Sequence, residues 1–351
     1  MERLVRSCYK QGGYVFAKKA GAPAHGEGDM RVARLASNEN PEPPSPAAIA
    51  AAQAAILGAN RYPDERVDVL VSALRAHYGE YTFVTGVGMD GVIETLMRTL
   101  VDPGETVAVS TPTFSFYGLA GQAQGAKVIP VPRRADFSVD TGALVRAGKD
   151  AKIVMLCTPN NPTGNATPVK DIQKVLEGIG GVLFLDNAYI EFSGIDYLPL
   201  LRKYENLVIG RTFSKVHSLA GLRIGYAFVP AWLQPFYLRA GTPFTVNSVS
   251  AAAAAAALTD KGHAARYITQ VTAWRKRFSD ALTYPVLPSD ANFVLVDVAP
   301  HTSDEVVEKL ATRGVLVRSC RSFTGLDDHY IRVSIGEDWE NERFVRELNA
   351  L

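Results

Sequence analysis

One lysine in this sequence has the neighbours that imine chemistry requires. Lys215 lies in the segment Arg211-Thr-Phe-Ser-Lys-Val-His-Ser-Leu-Ala-Gly-Leu-Arg-Ile-Gly225, which also carries several hydroxyl side chains and a second cation, Arg223. Hydroxyls, an arginine and backbone N–H groups can bind a phosphate, and an amine beside them can attack an aldehyde carbonyl. The segment therefore predicts a phosphorylated aldehyde cofactor that is bound covalently at Lys215.

Four further segments carry side chains that could act with this lysine. Asn161, in Thr158-Pro-Asn-Asn-Pro-Thr-Gly164, follows a predicted buried strand, which is where α/β folds bind ligands. Asp186 ends another strand, where a carboxylate can pair with a protonated ring nitrogen. Phe114 could stack on a flat ring, and Tyr62 lies in a polar turn. Each residue alone has an ordinary structural explanation (turn, helix cap, core aromatic, surface tyrosine), so the prediction depends on their occurring together.

A glycine motif suggests a different cofactor and has to be weighed. Gly86-Val-Gly-Met-Asp-Gly91 matches the dinucleotide-binding pattern between a strand and a helix. That site needs an acidic residue at the end of the next strand, but Thr106–Ser110 is followed by Thr111-Pro112. The motif is therefore a poor nicotinamide site. Its small residues still expose backbone N–H groups at a helix start, where a phosphate can bind.

The elements around these residues alternate between strands and helices. Between about residues 82 and 230 the predicted strands are Thr82–Thr85, Thr106–Ser110, Lys127–Val131, Lys152–Cys157, Val182–Asp186, Leu207–Thr212 and Ile224–Val229. Several are apolar throughout, as in strands covered on both faces, and the helix after the first strand has an apolar stripe. This alternation predicts an α/β domain with a mainly parallel sheet.

The pattern changes after residue 245. Helices over residues 247–281 precede strands at Asn292–Val298, Val315–Arg318 and Tyr330–Ser334 and a final helix, which predicts a smaller α+β domain. We therefore expect an N-terminal segment (1–37) joining the small domain, a large cofactor-binding domain (38–245) and a small C-terminal domain (246–351). Residues 21–30 read as a loop. Ser45-Pro46 and Thr167-Pro168 each predict a helix start, with the hydroxyl as cap.

Composition excludes several classes of protein. The chain has 351 residues, 47% of them hydrophobic, and a net charge of +1, so it lacks the basic character of a nucleic-acid-binding protein. Its three scattered cysteines fit a reducing cytoplasm, and its six dispersed histidines show no spacing typical of a metal site. The N-terminus has no secretory apolar region, and the alanine-rich run Ala251–Leu258 is too short to span a membrane.

Together and in this order, the segments resemble the fold-type I pyridoxal-phosphate enzymes of aminotransferase class I/II, and within them the histidinol-phosphate aminotransferases. The resemblance covers nearly the whole chain, residues 14–332, and implies a mixed, mainly parallel seven-stranded sheet in the large domain. The Lys215 segment with Arg223 and the Asn-Asn-Pro-Thr-Gly turn are highly specific for the superfamily. Ser37-Asn-Glu-Asn-Pro41 and Arg61-Tyr-Pro-Asp64 are typical of the histidinol-phosphate group.

The resemblance implies a role for each cofactor-binding residue. Lys215 would hold pyridoxal 5′-phosphate as an internal aldimine and then move the proton in a 1,3-shift. Asp186 would keep the pyridine nitrogen protonated, so that the ring accepts electrons. Asn161 and Tyr189 would hydrogen-bond the ring oxygen O3′, and Phe114 would stack on the ring. The implied phosphate ligands are Thr212, Ser214, Arg223, the backbone N–H groups of Met89 and Asp90, and Tyr62 of a neighbouring subunit in a homodimer.

The resemblance also implies the substrates. Arg332 matches the arginine that binds a substrate carboxylate, and Arg318 and Tyr14 match positions that bind the substrate phosphate, with Arg321 as a possible assistant. The implied reaction exchanges the amino group between histidinol phosphate and 2-oxoglutarate, giving imidazole acetol phosphate and glutamate. Phe114 replaces the tyrosine common in the family, and Asn187 replaces a glutamate.

Three alternatives stay open at the level of sequence. The first is an aminotransferase for aromatic or other amino acids. The second is a threonine-phosphate decarboxylase of cobalamin synthesis, which resembles the same family and would release carbon dioxide. The third is a cofactor-binding regulator without turnover, although the chain has neither an additional domain nor a basic stretch for DNA. The organism, the regulation and the full substrate range do not follow from the sequence.

Overall fold

The computed structural model describes residues 4–10, 13–17 and 31–351. The strands of these residues, in chain order, are β1 (Ala33–Arg34), β2 (Phe83–Val87), β3 (Thr106–Thr111), β4 (Lys127–Pro132), β5 (Ile153–Cys157), β6 (Val182–Asp186), β7 (Leu207–Thr212), β8 (Ile224–Phe228), β9 (Phe293–Asp297), β10 (Val315–Leu316), β11 (Arg318–Ser319) and β12 (Tyr330–Ser334). The α-helices are α1 (Pro46–Ile56), α2 (Asp68–Tyr78), α3 (Gly88–Leu100), α4 (Phe116–Gln124), α5 (Thr141–Gly148), α6 (Val169–Gly178), α7 (Gln234–Ala240), α8 (Ser248–Ala257), α9 (Lys261–Ala281), α10 (Ser303–Thr312) and α11 (Asp338–Asn349).

Seven of the strands form one twisted sheet in the order β2-β8-β7-β6-β5-β3-β4. Strand β8 is antiparallel to both of its neighbours, and the other adjacent pairs are parallel. The predicted fold class, a mixed and mainly parallel seven-stranded sheet, is confirmed. Strands β5 to β8 are buried along their whole length, as expected where helices cover both faces of a sheet.

The two faces of this sheet carry different groups of helices. On one face, alternate strand residues such as Val154 and Leu183 pack with helices α2, α5, α6 and α8. On the other face, Val107 and Phe184 pack with α3, α4 and α7. The apolar stripe predicted for the helix after the first strand lies in this second cluster. Because successive side chains of a strand point to opposite faces of the sheet, the position of a residue along its strand determines whether it points toward α3 and α4.

A second core lies under a smaller sheet, formed by β11, β12 and β9 in antiparallel order. The predicted strand Val315–Arg318 is wrong as one strand, because its two ends pair with different partners. Val315 and Leu316 pair in parallel with β1, whereas Arg318 and Ser319 pair with β12. Val317, buried between them, marks the change of partner.

Two Ser/Thr-Pro motifs start helices in different ways. The Ser45 side chain accepts a hydrogen bond from the backbone N–H of Ala48 and caps α1, as predicted. The same prediction is wrong for Thr167. Helix α6 begins at Val169 with Pro168 as the N-cap and no side-chain cap, and the Thr167 hydroxyl has no hydrogen-bond partner among the described residues.

The domain boundaries predicted from the sequence stay predictions. We note that Ala253 and Ala257 of α8 lie in the same cluster as the large sheet, and we therefore propose that the large domain extends through α8. The loop predicted at residues 21–30 lies outside the described residues, as does part of the segment 1–37. Within the described ranges, the structure contains no helix long and apolar enough to cross a membrane.

Candidate active site

The carboxyl ends of the parallel strands meet at one edge of the large sheet. Cys157, Asp186 and Thr212 end β5, β6 and β7, and their positions along the strands point them toward the face covered by α3 and α4. A cavity of about 420 Å³ opens at this edge. The polar ends of three buried strands therefore share one site.

Most of the predicted site residues line this cavity. It is bordered by Tyr14, Met89, Asp90, Phe114, Asn161, Asp186, Tyr189, Thr212, Ser214, Lys215, Arg223, Arg318 and Arg332. The cavity is also lined by five residues that were not predicted as site residues: Ser37, Asn38, Glu39, Tyr117 and Cys157. Among the described residues, no group of three or more His, Cys, Asp or Glu side chains could hold a metal ion.

Lys215 projects into the cavity from the loop that follows β7. Its Nζ donates a hydrogen bond to the Ser37 carbonyl at 3.3 Å and lies 5.6 Å from the centre of the Tyr189 ring. Burial lowers the pKa of Lys215 to about 8, and the positive charge of Arg332 acts in the same direction. The amine therefore loses its proton more readily than an exposed lysine does.

Asp186 is held on both of its carboxylate oxygens. Oδ1 accepts from the backbone N–H of Ala188 at 2.9 Å, and Oδ2 accepts from the hydroxyl of Tyr117 at 2.6 Å. Burial raises the pKa of Asp186 to about 6, while these two hydrogen bonds oppose the rise. Tyr117 is not among the residues predicted from the sequence. Its position three residues after Phe114, with its backbone N–H bonded to the Phe114 carbonyl, brings both side chains to the same cavity.

One end of the cavity is built to receive an anion. Helix α3 begins there without a side-chain cap, so the backbone N–H groups of Met89 and Asp90 lie at its positive end. Arg223, in the left-handed conformation with φ of 48°, forms an ion pair with Asp90 at 2.8 Å. A Cβ on Gly88 would lie 2.5 Å from the Arg223 guanidinium. The glycine motif therefore makes room for a cation beside a helix terminus.

Arg332 lies deep in the cavity and is bonded to protein groups. Its Nη1 donates to Asn161 Oδ1 and its Nη2 to the Ala36 carbonyl, both at 2.6 Å, while its Nε has no partner among the described residues. Tyr189 accepts a hydrogen bond from Asn38 at 3.1 Å, and burial raises the pKa of its phenol. Arg332 therefore lies beside Asn161, and its charge also acts on the phenol of Tyr189.

The cavity opening is lined by aromatic rings and a second arginine. Arg318 donates to the carbonyl of Val15 at 2.6 Å and to the Ser322 hydroxyl at 3.2 Å. The rings of Tyr14 and Phe114 meet edge to face with centres 5.8 Å apart. Arg321 does not line this cavity, because it points to the surface and pairs with Asp304 at 2.9 Å.

Tyr62 is a second predicted site residue that the structure places outside the cavity. Its side chain is 84% exposed and stacks on Phe244 with ring centres 5.0 Å apart, outside the cavity of its own chain. Within one chain it therefore cannot contact a molecule bound at Lys215.

A sequence model of a family described as aminotransferase class I and II matches residues 31–348. The chain belongs to this family. A relative in Methanoculleus marisnigri, described as a histidinol-phosphate aminotransferase, is 62% identical over 352 residues and is matched over 100% of both chains.

Solved aminotransferase structures share the same fold. The histidinol-phosphate aminotransferase from Sinorhizobium meliloti, in complex with pyridoxal-5′-phosphate, is 27% identical, with a TM-score of 0.83 over 91% of each chain. The L-threonine-O-3-phosphate decarboxylase from Porphyromonas gingivalis is 20% identical, with a TM-score of 0.78 over 90% of this aminotransferase and 98% of that chain. Because the fold is shared by both, the fold alone does not separate transamination from decarboxylation.

Proposed function

We propose that the protein is a pyridoxal-phosphate-dependent aminotransferase that transfers an amino group between histidinol phosphate and 2-oxoglutarate. The observation that carries the proposal is the cavity in which Lys215, Asp186 and the anion-binding end of α3 face one another. The Methanoculleus marisnigri relative, 62% identical along the full length, supports the choice of substrate.

The residues present fit pyridoxal phosphate. A cavity of about 420 Å³ lies within the range of roughly 300–1,000 Å³ typical of small-molecule sites. The cofactor phosphate would lie at the end of the cavity beside Gly88. There it would meet Arg223 and the hydroxyls of Thr212 and Ser214. Asp186 provides a buried carboxylate for a ring nitrogen, and Lys215 provides the amine.

Each side chain around the cofactor would have a separate role in the reaction. When bound, pyridoxal phosphate supplies an aldehyde for a covalent link to an amine and a ring that withdraws electrons from the bond being broken. Lys215 Nζ would accept a proton from the substrate carbon and later release it, since its lowered pKa suits both roles. Asp186 would pair with the ring nitrogen and favour its protonated form, and Phe114 would restrain the ring.

Two arginines that lie directly opposite each other on the paired strands β11 and β12 support the choice of substrate pair. Arg332 suits the carboxylates of glutamate and 2-oxoglutarate, because a planar guanidinium binds them through two parallel hydrogen bonds. Histidinol phosphate has no α-carboxylate, so its phosphate has to provide the anionic anchor. Arg318, with Tyr14 beside it at the opening, is placed for that group.

We also propose a homodimer in which Tyr62 reaches the cofactor phosphate of the neighbouring subunit. Its high exposure and its distance from the cavity of its own chain support this assignment. We further propose a cytoplasmic location, supported by the free thiols of Cys8, Cys157 and Cys320.

A half-reaction screen tests the function. The cofactor-loaded protein is mixed with histidinol phosphate, glutamate, phosphothreonine or aromatic amino acids, and the visible absorbance and the products are followed. We expect histidinol phosphate and glutamate to convert the cofactor to its amine form without carbon dioxide release. Borohydride reduction followed by peptide mass spectrometry should locate the cofactor on Lys215, and Lys215→Ala should lose it. Carbon dioxide from phosphothreonine would instead establish the decarboxylase.

A further inference from the structure

We propose that Tyr117 is a positioning residue for Asp186, whose hydroxyl keeps the carboxylate ionised and aimed at the cofactor ring. The inference rests on the proposed function, because it concerns a ring nitrogen that Asp186 would face. Tyr117 itself would act through Asp186 and would take no part in proton transfer.

The hydrogen bond is short, buried and directed. Tyr117 Oη lies 2.6 Å from Asp186 Oδ2, and the two residues are 0% and 3% exposed. The Ala188 N–H occupies the other oxygen. With one donor on each oxygen, the plane of the carboxylate is fixed, and its remaining lone pairs are left for a ligand.

Tyr117 has little freedom to turn away from this carboxylate. It is the second residue of α4, three residues after Phe114, which precedes the helix, and the two rings meet edge to face with centres 5.6 Å apart. Burial and the charge of Asp186 hold the pKa of the Tyr117 phenol well above its ordinary value. The phenol therefore stays protonated and acts as the donor of the pair.

The electrostatic surroundings explain why this donor matters. Burial alone would keep the Asp186 carboxyl protonated to higher pH, and Asp90 on α3 adds to that effect. The Tyr117 hydroxyl, the Ala188 N–H and Lys215 favour the ionised form. Cys157 on β5 faces the carboxylate as a neutral thiol, because burial raises its pKa to about 12. A protonated Asp186 could not stabilise positive charge on a ring nitrogen.

The test compares Tyr117→Phe with Tyr237→Phe in the holoenzyme. Tyr237 is also buried and donates to a carbonyl, that of Thr85, but it does not line the cavity. Two readouts are used: the nitrogen-15 shift of ring-labelled pyridoxal phosphate, and the cofactor dissociation constant between pH 6 and 9. Loss of a charge-assisted hydrogen bond should raise the pKa of the Asp186 carboxyl by about one to two units.

We expect Tyr117→Phe to move the ring nitrogen toward its unprotonated shift and to weaken cofactor binding about tenfold near pH 6.5, with recovery at pH 9. The control should follow the wild type. An equal loss at every pH, or an unchanged ring shift, would overturn the inference. Failure of the wild type itself to hold the cofactor at Lys215 would instead overturn the proposed function.

A second substitution covers the case in which Tyr117→Phe does not fold. Incorporation of 3-fluorotyrosine at position 117 retains the ring and strengthens the hydroxyl as a donor. We expect it to move the pH dependence of cofactor binding in the opposite direction, toward lower pH. A shift in the same direction as Tyr117→Phe, or none, would contradict the positioning role.

Discussion

At the scale of single residues, two arginines three positions apart meet different surroundings. Arg318 is 8% exposed and lines the cavity, whereas the side chain of Arg321 is 70% exposed and paired with Asp304. The family resemblance favours Arg318 over Arg321, but the local sequence alone does not, because Arg318 lies in β11 and Arg321 only two residues after it. The direction of the Arg318 side chain depends on the pairing of β11 with β12, which is a long-range contact.

This pair provides a matched test of substrate recognition. Arg318→Gln should raise the KM for histidinol phosphate about ten- to a hundredfold, as expected for loss of a hydrogen bond to a charged group, and should change the KM for glutamate only a few-fold. Arg321→Gln removes the same charge and should stay near the wild type. Steady-state kinetics with both substrates checks this, and equal losses for the two substrates would contradict it.

Lys215 makes a prediction about pH. Because burial lowers its pKa to about 8, the uncharged amine accumulates as the pH rises through 8 and is lost below it. The rate of cofactor attachment to the cofactor-free protein should rise to pH 8–9 and then level off. Stopped-flow absorbance checks this. A rate that keeps rising toward pH 10.5, the ordinary range of lysine, would show that the amine is unperturbed.

The contribution of Arg332 to the lowered pKa of Lys215 can be tested in the same experiment. Its positive charge also lowers the pKa of Lys215, so Arg332→Gln should move the inflection to higher pH. Arg321→Gln, which removes an exposed cation away from the cavity, serves as the control and should leave the inflection in place.

At the scale of elements, local signals predicted the strands of the large sheet but not every helix start. The bounds predicted for Val182–Asp186 and Leu207–Thr212 are those that the structure has, because short apolar runs such as Val182–Leu185 and Leu207–Ile209 are typical of strands covered on both faces. Thr167 shows the limit of such signals. Its backbone N–H binds the Thr158 hydroxyl instead, a contact that the Thr-Pro dipeptide does not indicate.

Substitutions at Ser45 and Thr167, the first residues of the two Ser/Thr-Pro dipeptides, should affect the free energy of unfolding differently. Ser45→Ala removes the cap of α1 and should cost about 1 kcal/mol, seen as a fall of a few degrees in Tm by calorimetry of the holoenzyme. Thr167→Val keeps the shape of a side chain whose hydroxyl has no partner in the described ranges. It should leave Tm nearly unchanged or raise it slightly. A larger loss for Thr167→Val than for Ser45→Ala would contradict both assignments.

At the scale of the whole molecule, apolar side chains are exposed near Tyr62. Ile56 ends α1, Leu57 is its C-cap residue, and Phe244 stacks on Tyr62. A surface of this kind suits contact with another copy of the chain. The family resemblance supplied the prediction of a shared site, because a neighbouring subunit leaves no periodic signal in the sequence.

Subunit mixing tests the shared site. Lys215→Ala and Tyr62→Ala proteins are each expected to be nearly inactive at limiting cofactor. After subunit exchange, half of the dimers should be mixed, each with one intact site, giving about a quarter of wild-type activity by the symmetry of a two-fold dimer. No recovery on mixing would mean that Tyr62 does not act across an interface.

The alternation of side chains along β7 has a consequence for how this cleft tolerates change. Thr212 faces the cavity, while the preceding residue, Arg211, points to the opposite face and hydrogen-bonds Tyr78. A slip of one residue in β7 would exchange these two faces, bringing a guanidinium into the cleft and burying a hydroxyl in the far core. Insertions and deletions in this strand should therefore be far more damaging than substitutions, since they replace the side chains that line the cleft with those of the opposite face.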